Sequence, residues 1–235
     1  MLGEMGYGMG RIIKPGLSAE LIYSFAIIAC CLMIYFGTRE IYELSTHKGI
    51  GYFRQAFLFF AFAYFFRSFI KIIIFYFNAY GLFQIPPRLL NPLVTEITLI
   101  FFMYFGSMAV FYLLYSVLWK KFNDKMIYLF HLFAIFMALF GVLSKNPYSY
   151  IALNLILFLF IVIVVLISYF DQRKKNKRKS FNLYTIYVLL LFFWILNIID
   201  ILIPFFLSTF QVFVYMISLG IFFLMQYKVL KRVGN

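Results

Sequence analysis

Two cations, Arg67 and Lys71, stand inside a run of apolar residues long enough to cross a lipid bilayer. Because they are four residues apart, they share one face of a helix. A charge at the centre of a bilayer costs at least about 2.5–3.5 kcal/mol on insertion scales, so neither cation can face lipid without a partner. The pair therefore predicts that acidic or polar side chains from other segments lie beside it within the membrane.

Three further polar residues occur in apolar runs and are the candidate partners. Glu96 lies near the start of one run, and Asn197 and Asp200 share a helical face near the end of another. With a rise of about 1.5 Å per residue, these residues fall at the same depth as the two cations. Glu20, near the start of the first run, is a looser candidate for the same layer.

The predicted layer, Arg67, Lys71, Glu96, Asn197 and Asp200, has a formal charge of zero and two interpretations. In the first, a buried ion network fixes the helices in register and has no other role. In the second, the layer lines a cavity and binds an ion, a proton or a small polar ligand, since ionisable residues within membranes commonly mark functional sites. The sequence alone leaves both interpretations open.

Catalytic, metal and cofactor chemistry have little support in the sequence. His47 and His131 have no second histidine or carboxylate at ligand spacing, and Cys30 and Cys31 are neighbours within an apolar run. Glu96 and Asp200 could serve as an acid and a base, but each has a cation available at its depth. We therefore predict no catalytic residue, no metal site and no cofactor, and we disfavour an enzyme without excluding one.

The composition is that of an integral membrane protein. The chain is 65% hydrophobic and 12% charged, with a mean hydropathy of +0.96, whereas a soluble domain has roughly 25% charged residues. Its 235 residues leave room for about seven spans of ~20 residues and no soluble domain. We predict an all-α, multi-pass bundle of seven transmembrane helices in the cell membrane. The abundant Phe, Ile, Lys and Asn are typical of an AT-rich prokaryotic genome.

Apolar runs and turn residues give the bounds of the predicted helices. Pro86, Pro87 and Pro92 interrupt one junction, and Asn146 and Pro147 mark another. The predicted helices are 18–36, 52–78, 93–119, 126–143, 150–170, 183–206 and 209–229. Residues 1–17 are predicted to be an extracytoplasmic tail, and residues 230–235 a cytoplasmic tail.

The cations predict the orientation of the chain. The net charge of +13 comes mainly from loops between apolar runs, a pattern of membrane topology rather than of nucleic-acid binding. Fifteen lysines and arginines flank one side of the predicted bundle and four flank the other. By the positive-inside rule, the amino terminus is outside and the carboxyl terminus is cytoplasmic. The basic connector 171–180 is predicted to attract anionic lipid.

Small residues predict where helices approach closely. Gly106 and Ser107 lie in the third predicted helix, and Ser218 and Gly220 lie in the seventh. Small side chains allow helix backbones to come together in membranes. These residues would therefore permit close helix contact at these two places.

A weak internal similarity relates the first three predicted helices to the last three. Tyr35-Phe36-x-x-Arg39 matches Tyr169-Phe170-x-x-Arg173, and residues of the third and seventh helices match at one constant offset. Parallel repeats of three helices occur in some transporters, with the substrate site between the two copies. The similarity predicts a 3+1+3 arrangement, although two helices rich in Phe, Leu and Ile also match by chance.

Two functions compete. The polar layer, the basic cytoplasmic loops and the seven helices favour a receptor- or sensor-like module that signals to a separate cytoplasmic protein, with a small polar ligand at the layer. The alternative is a small-solute or ion transporter or channel, favoured by the repeat and the charges. The transporter has less support, since the apolar runs contain no mid-membrane break by glycine or proline.

Overall fold

A computed structural model describes residues 17–79, 87–123, 125–144, 147–174, 183–202 and 208–233. These ranges form helices and short turns, with no strand among them, so the predicted all-α class is confirmed. The helices are α1 (Leu17–Gly37), α2 (Arg39–Ser45), α3 (Lys48–Ala79), α4 (Pro87–Leu118), α5 (Met126–Leu143), α6 (Pro147–Lys174), α7 (Tyr184–Leu202) and α8 (Ser208–Val233). Each of the seven predicted helices overlaps one of the long helices.

The helices have the length and composition of membrane spans. Within the described residues, six stretches are long and apolar enough to cross a membrane: Ala19–Ser45, Lys48–Ile73, Glu96–Leu118, Met126–Leu143, Tyr148–Arg173 and Phe210–Lys231. The apolar part of α7, Tyr184–Asp200, is shorter. The chain is therefore a multi-pass membrane protein. That α7 is a seventh span, and which side each terminus lies on, stay predictions.

Two helices begin at prolines, earlier than the sequence predicted. α4 begins at Pro87 rather than at residue 93, and α6 begins at Pro147 rather than at residue 150. Proline suits the first position of a helix because its missing N–H would have no partner there. At the other end, α6 continues to Lys174 and takes in the start of the predicted basic connector.

Six of the long helices form a ring. In the order α1, α3, α4, α6, α7 and α8, each packs against the next, and α8 closes the ring against α1. α5 lies outside the ring, mainly against α4. The buried residues of α5 are mostly small: Ala134, Met137, Ala138 and Gly141. α5 therefore packs on the outside of the ring without inserting side chains into its centre. A closed ring of consecutive helices would have these neighbours with or without a repeat, so the 3+1+3 repeat stays a prediction.

Aromatic side chains fill the middle of the ring. Phe53, Phe57 and Phe60 of α3 face Tyr187 and Phe193 of α7, and all five are at most 2% exposed. Aromatic residues bury large apolar areas and pack edge to face, as the ring of Phe193 does against Phe222 of α8, with centroids 4.6 Å apart. This packing holds α3 and α7 together across the ring.

The two ends of the bundle differ in chemistry. We call the end at which α1, α4, α6 and α8 begin the polar end, because Arg67 and Lys71 lie toward it. The opposite end, at which α3, α5 and α7 begin, we call the basic end. Among the described side chains, every other lysine and arginine lies there: Arg39, Lys48, Arg54, Lys120, Lys121, Lys125, Arg173, Lys228 and Lys231.

The small residues noted in the sequence differ from the glycines at which helices approach closely. Apart from the glycine's own neighbourhood in its helix, a Cβ added at Gly106 or Gly220 would meet no heavy atom within 4 Å, so these two glycines permit close contact but do not make it. The close approaches are at the basic end. A Cβ at Gly49 would lie 2.7 Å from the Ser116 carbonyl oxygen, and one at Gly51 would lie 2.8 Å from the Tyr42 ring.

Parts of four predicted segments lie outside the described residues. They are residues 1–16 of the extracytoplasmic tail, residues 175–180 of the basic connector, residues 203–206 of the sixth predicted helix, and residues 234–235 of the cytoplasmic tail. The first four residues of that tail, 230–233, continue α8.

Candidate functional site

The charges of the polar end meet on one carboxylate, that of Glu20. Its Oε1 accepts hydrogen bonds from Arg67 Nε at 2.8 Å and from Lys71 Nζ at 2.6 Å, and Arg67 Nη2 lies 2.7 Å from the same oxygen. Glu20 lies in the first turn of α1, where the helix dipole also favours a negative charge. The three side chains are largely buried, with exposed fractions of 16% for Glu20, 18% for Arg67 and 29% for Lys71.

Glu96 and Asp200, the anions predicted to pair with these cations, form no ion pair with them. Glu96 is exposed and pairs with no cation among the described residues. Asp200 also lacks an ion pair within the described part of the chain, although Arg67 and Lys71 are close enough to act on it electrostatically. Glu20, the looser candidate in the sequence, is the direct partner of both cations. Its position one turn inside the first apolar run was the available signal.

The cations and carboxylates in contact at the polar end are therefore unequal in number. One carboxylate, Glu20, receives two cations, which leaves one positive charge in excess at α3. Asp200 on α7 carries the opposite charge but forms no ion pair with Arg67 or Lys71. Opposite charges that are separated in a low-dielectric region attract strongly, and a polar ligand between them would gain from both.

A cavity of about 330 Å³ lies between these charges. Its walls come from four ring helices: α3 and α4 on one side, and α6 and α7 on the other. Charged and amide groups on the wall are Arg67, Lys71, Asn154, Asn197 and Asp200. The structure thus brings together four of the five predicted site residues, Arg67, Lys71, Asn197 and Asp200, and leaves Glu96 outside.

A chain of hydroxyl and amide groups joins the wall of the cavity to α1. Tyr64 donates a hydrogen bond to Asn197 Oδ1 at 3.2 Å, and the hydroxyls of Tyr64 and Tyr23 are 3.5 Å apart. The Tyr23 ring stacks on Tyr215 of α8 at 4.4 Å. These contacts would therefore transmit a movement of Asn197 to α1, α3 and α8.

Thr98 is a polar residue of the cavity wall with a buried hydroxyl. It is 8% exposed and lines the wall on α4, and its Oγ1 has no hydrogen-bond partner among the described residues. A buried polar group without a partner costs about 1–3 kcal/mol. Because Thr98 lines the cavity, this residue, which the sequence analysis missed, belongs to the wall of the candidate site.

Aromatic residues close the cavity toward the core. Phe60 of α3 and Phe193 and Trp194 of α7 line its inner part and are each at most 6% exposed. Trp194 Nε1 donates to the Asn154 carbonyl oxygen at 3.2 Å, which ties α7 to α6 at this level. Below them lies the aromatic centre of the ring.

The described residues contain no group of three or more His, Cys, Asp or Glu side chains that could hold a metal ion. His131 of α5 lies outside the ring, with its Nδ1 2.8 Å from the hydroxyl of Tyr104. Cys30 and Cys31 are buried free thiols in α1. The groups that the cavity offers to a polar molecule are the charged and amide side chains of its wall.

Comparison with known proteins gives one similar chain. An uncharacterized protein of Archaeoglobus fulgidus is 29% identical over 222 residues, which cover 92% of this chain and 93% of that protein. The similarity extends over nearly the full length of both, so it includes the segments that form the cavity. No protein-family model matches the chain, and no solved structure matches it.

Proposed function

We propose that this protein is a receptor- or sensor-like membrane module that binds a small polar ligand in the cavity at the polar end. The observation that carries the proposal is a charged cavity that ends on buried aromatic residues. Binding would shift the ring helices, and a separate protein would detect that shift at the basic end. By the positive-inside rule, the polar end faces outward and the basic end faces the cytoplasm.

The ligand class follows from the wall charges. The excess positive charge at Arg67 and Lys71 suits an anionic group such as a carboxylate, and Asp200, without an ion pair among the described residues, suits a cationic group. Aromatic side chains, including Phe102 and Trp194, provide the apolar part of the wall. We therefore propose a small zwitterion, such as an amino acid or a betaine. A cavity of about 330 Å³ lies at the lower end of the range of ligand pockets, about 300–1,000 Å³.

A sensor is favoured over a transporter by what lies below the cavity. Phe53, Phe57 and Phe193 are at most 1% exposed. A polar solute crossing this centre would lose its hydration without gaining polar partners, which is costly. A sensor needs no such path, because a ligand need only favour one of two helix arrangements.

Transport is the second candidate, and one observation favours it. The cavity lies between α3 and α4 on one side and α6 and α7 on the other, which would be the interface between the two halves of the predicted 3+1+3 repeat. Substrate sites of repeat transporters lie at such an interface. A transporter would have to open the aromatic centre during its cycle.

A ligand screen on the purified protein tests the proposal. In detergent, we expect zwitterionic amino acids or betaines to raise the melting temperature in a saturable manner, because a ligand that binds only the folded state stabilises it. Asp200→Asn should weaken binding about tenfold or more, since it removes the partner of the cationic group. The matched control is Glu96→Gln, which removes a carboxylate near the same end but outside the cavity, and should leave binding unchanged.

A second measurement follows transmission to the basic end. With ligand bound, the protease sensitivity of the connector 171–180 should change in the wild type and not in Asp200→Asn. If no zwitterion binds, or if Glu96→Gln weakens binding as much as Asp200→Asn, the cavity is not the ligand site.

A further inference from the structure

A second cavity, of about 320 Å³, lies at the basic end, where α2 folds against the start of α3. α1 ends at Gly37 and α2 ends at Ser45. Thr46, the residue after α2, has a left-handed φ of 48° and turns the chain back into α3. Gly51 lets Tyr42 of α2 lie directly against α3, because a Cβ at this position would lie 2.8 Å from the tyrosine ring. Tyr42 therefore forms one wall of the cavity.

Arg54 is the central feature of this cavity. It is only 9% exposed and donates from Nε to the Tyr35 carbonyl oxygen at 3.1 Å. The faces of Tyr35 and Tyr42 lie 4.8 Å and 5.3 Å from its guanidinium carbon. These contacts fix the orientation of the guanidinium group but do not neutralise its charge.

No carboxylate neutralises Arg54 within the described part of the chain. Glu43 of α2 pairs with Arg39 instead, at 2.7 Å. None of the described acidic side chains lines the cavity, whereas Lys48 adds a second cation to the wall, with Gln55 as a further hydrogen-bond donor. A nearly buried cation without a counter-charge is costly, and the two terminal nitrogens of Arg54 have no hydrogen bond to a described residue.

We propose that this cavity binds a phosphate group through the fork of Arg54, assisted by Lys48. Guanidinium groups bind phosphate through paired hydrogen bonds, and a fixed orientation lowers the entropic cost of that binding. The cavity lies at the basic end of the long helices, near the end at which a bilayer's headgroups are expected. The phosphate could therefore come from a phospholipid headgroup or from a soluble phosphate ester, and the chemistry of recognition is the same.

The test uses the full-length protein in a sugar-headgroup detergent, which contains no phosphate. Phosphatidylglycerol, glycerol 3-phosphate and dioleoylglycerol are titrated separately, and bound molecules are counted by native mass spectrometry. We expect one site for a phosphate-bearing probe and none for dioleoylglycerol. Binding of phosphatidylglycerol alone assigns the site to lipid, and comparable binding of glycerol 3-phosphate assigns it to a soluble ester.

Variants separate this site from general attraction to a basic surface. Arg54→Gln should weaken binding about tenfold, and Arg54→Lys about threefold, because lysine keeps the charge and loses the fork. Tyr42→Ala, at a half-exposed position, should weaken it several-fold and provides the test if Arg54→Gln does not fold. The control is Lys121→Gln, an exposed cation at the same end, with unchanged binding expected.

Three outcomes would overturn the proposal. The first is that neither phosphate probe binds. The second is that binding is the same in the wild type, Arg54→Gln and Tyr42→Ala. The third is that Lys121→Gln weakens binding as much as Arg54→Gln does, which would show attraction by surface charge alone.

Discussion

Glu20 is the residue on which the charge balance of the polar end depends most. It is the carboxylate partner of both Arg67 and Lys71 within 4.0 Å. Removing one member of a buried ion pair leaves an uncompensated charge, and that is far more costly than losing an exposed pair. In this cluster, one substitution leaves two cations without a carboxylate in contact.

Glu20→Gln is expected to lower the free energy of unfolding by about 3 kcal/mol or more. The matched control is Glu43→Gln, whose pair with Arg39 is exposed (57% and 65%), and this change should have a much smaller effect on the free energy of unfolding. The measurement is denaturant unfolding in detergent micelles. Equal effects of the two substitutions would contradict a structural role for the Glu20 cluster.

These contacts indicate that Arg67 interacts more strongly with Glu20 than with Asp200. The sequence placed Asp200 among the charges that balance Arg67, but the hydrogen bonds of Arg67 go to Glu20. A double-mutant cycle of Glu20→Gln with Arg67→Met should therefore give a coupling of about 1–3 kcal/mol, and the cycle of Asp200→Asn with Arg67→Met a smaller one. A larger coupling for Asp200 would restore the arrangement predicted from the sequence.

Counting residues along the helices indicated which charges could meet, whereas the rotation of each helix could not be predicted from the sequence. Counting residues placed Glu20, Glu96 and Asp200 in one layer with the cations. Which of them contacts Arg67 depends on the face that each helix presents to α3, and α1, α4 and α7 are apolar on nearly every side. A weak amphipathic pattern leaves the rotation open, and for that reason Glu20 was ranked below Glu96.

At the scale of elements, the glycines of the basic end fix how closely α3 packs. Gly49 lies against the backbone of α4, and a methyl group there would lie 2.7 Å from the Ser116 carbonyl oxygen. A backbone atom cannot turn aside as the end of a side chain can. The existence of each helix followed from its apolar run, but these contacts depend on three-dimensional neighbours, so Gly106 and Gly220 could not be told apart from Gly49 in the sequence.

Gly49→Ala is expected to destabilise the protein by about 1–3 kcal/mol, because the added methyl group forces α3 and α4 apart. Gly220→Ala is the matched control, since no heavy atom lies within 4 Å of its added Cβ. In that helix, alanine should be neutral or stabilise by about 0.5–1 kcal/mol. The measurement is the melting temperature of both variants in the same detergent. If Gly49→Ala lowers it no more than Gly220→Ala does, α3 and α4 do not approach closely at Gly49.

For the whole molecule, the uneven distribution of cations predicts an orientation. Positive residues remain on the cytoplasmic side of membrane proteins, and the described cations gather at the basic end. The position of α5 outside the ring had no comparable signal, because the hydropathy of α5 lies within the range of the ring helices.

Cysteine labelling in intact cells checks that orientation. In a background with Cys30 and Cys31 replaced by alanine, a cysteine at Arg88 or Lys145 should react with an impermeant reagent, and one at Lys177 should react only after lysis. The residues lie on opposite sides of the predicted bundle. Labelling of Lys177 from outside would reverse the orientation or change the number of spans.

In the proposed sensor, the polar end holds a ligand without passing it through the aromatic centre. Flux into proteoliposomes tests this most directly, with labelled amino acids, betaines and monovalent ions offered in turn. We predict uptake equal to that of protein-free liposomes for every solute, including any zwitterion that binds saturably in detergent. Uptake that exceeds this background and is abolished by Asp200→Asn would contradict the sensor and make the protein a transporter.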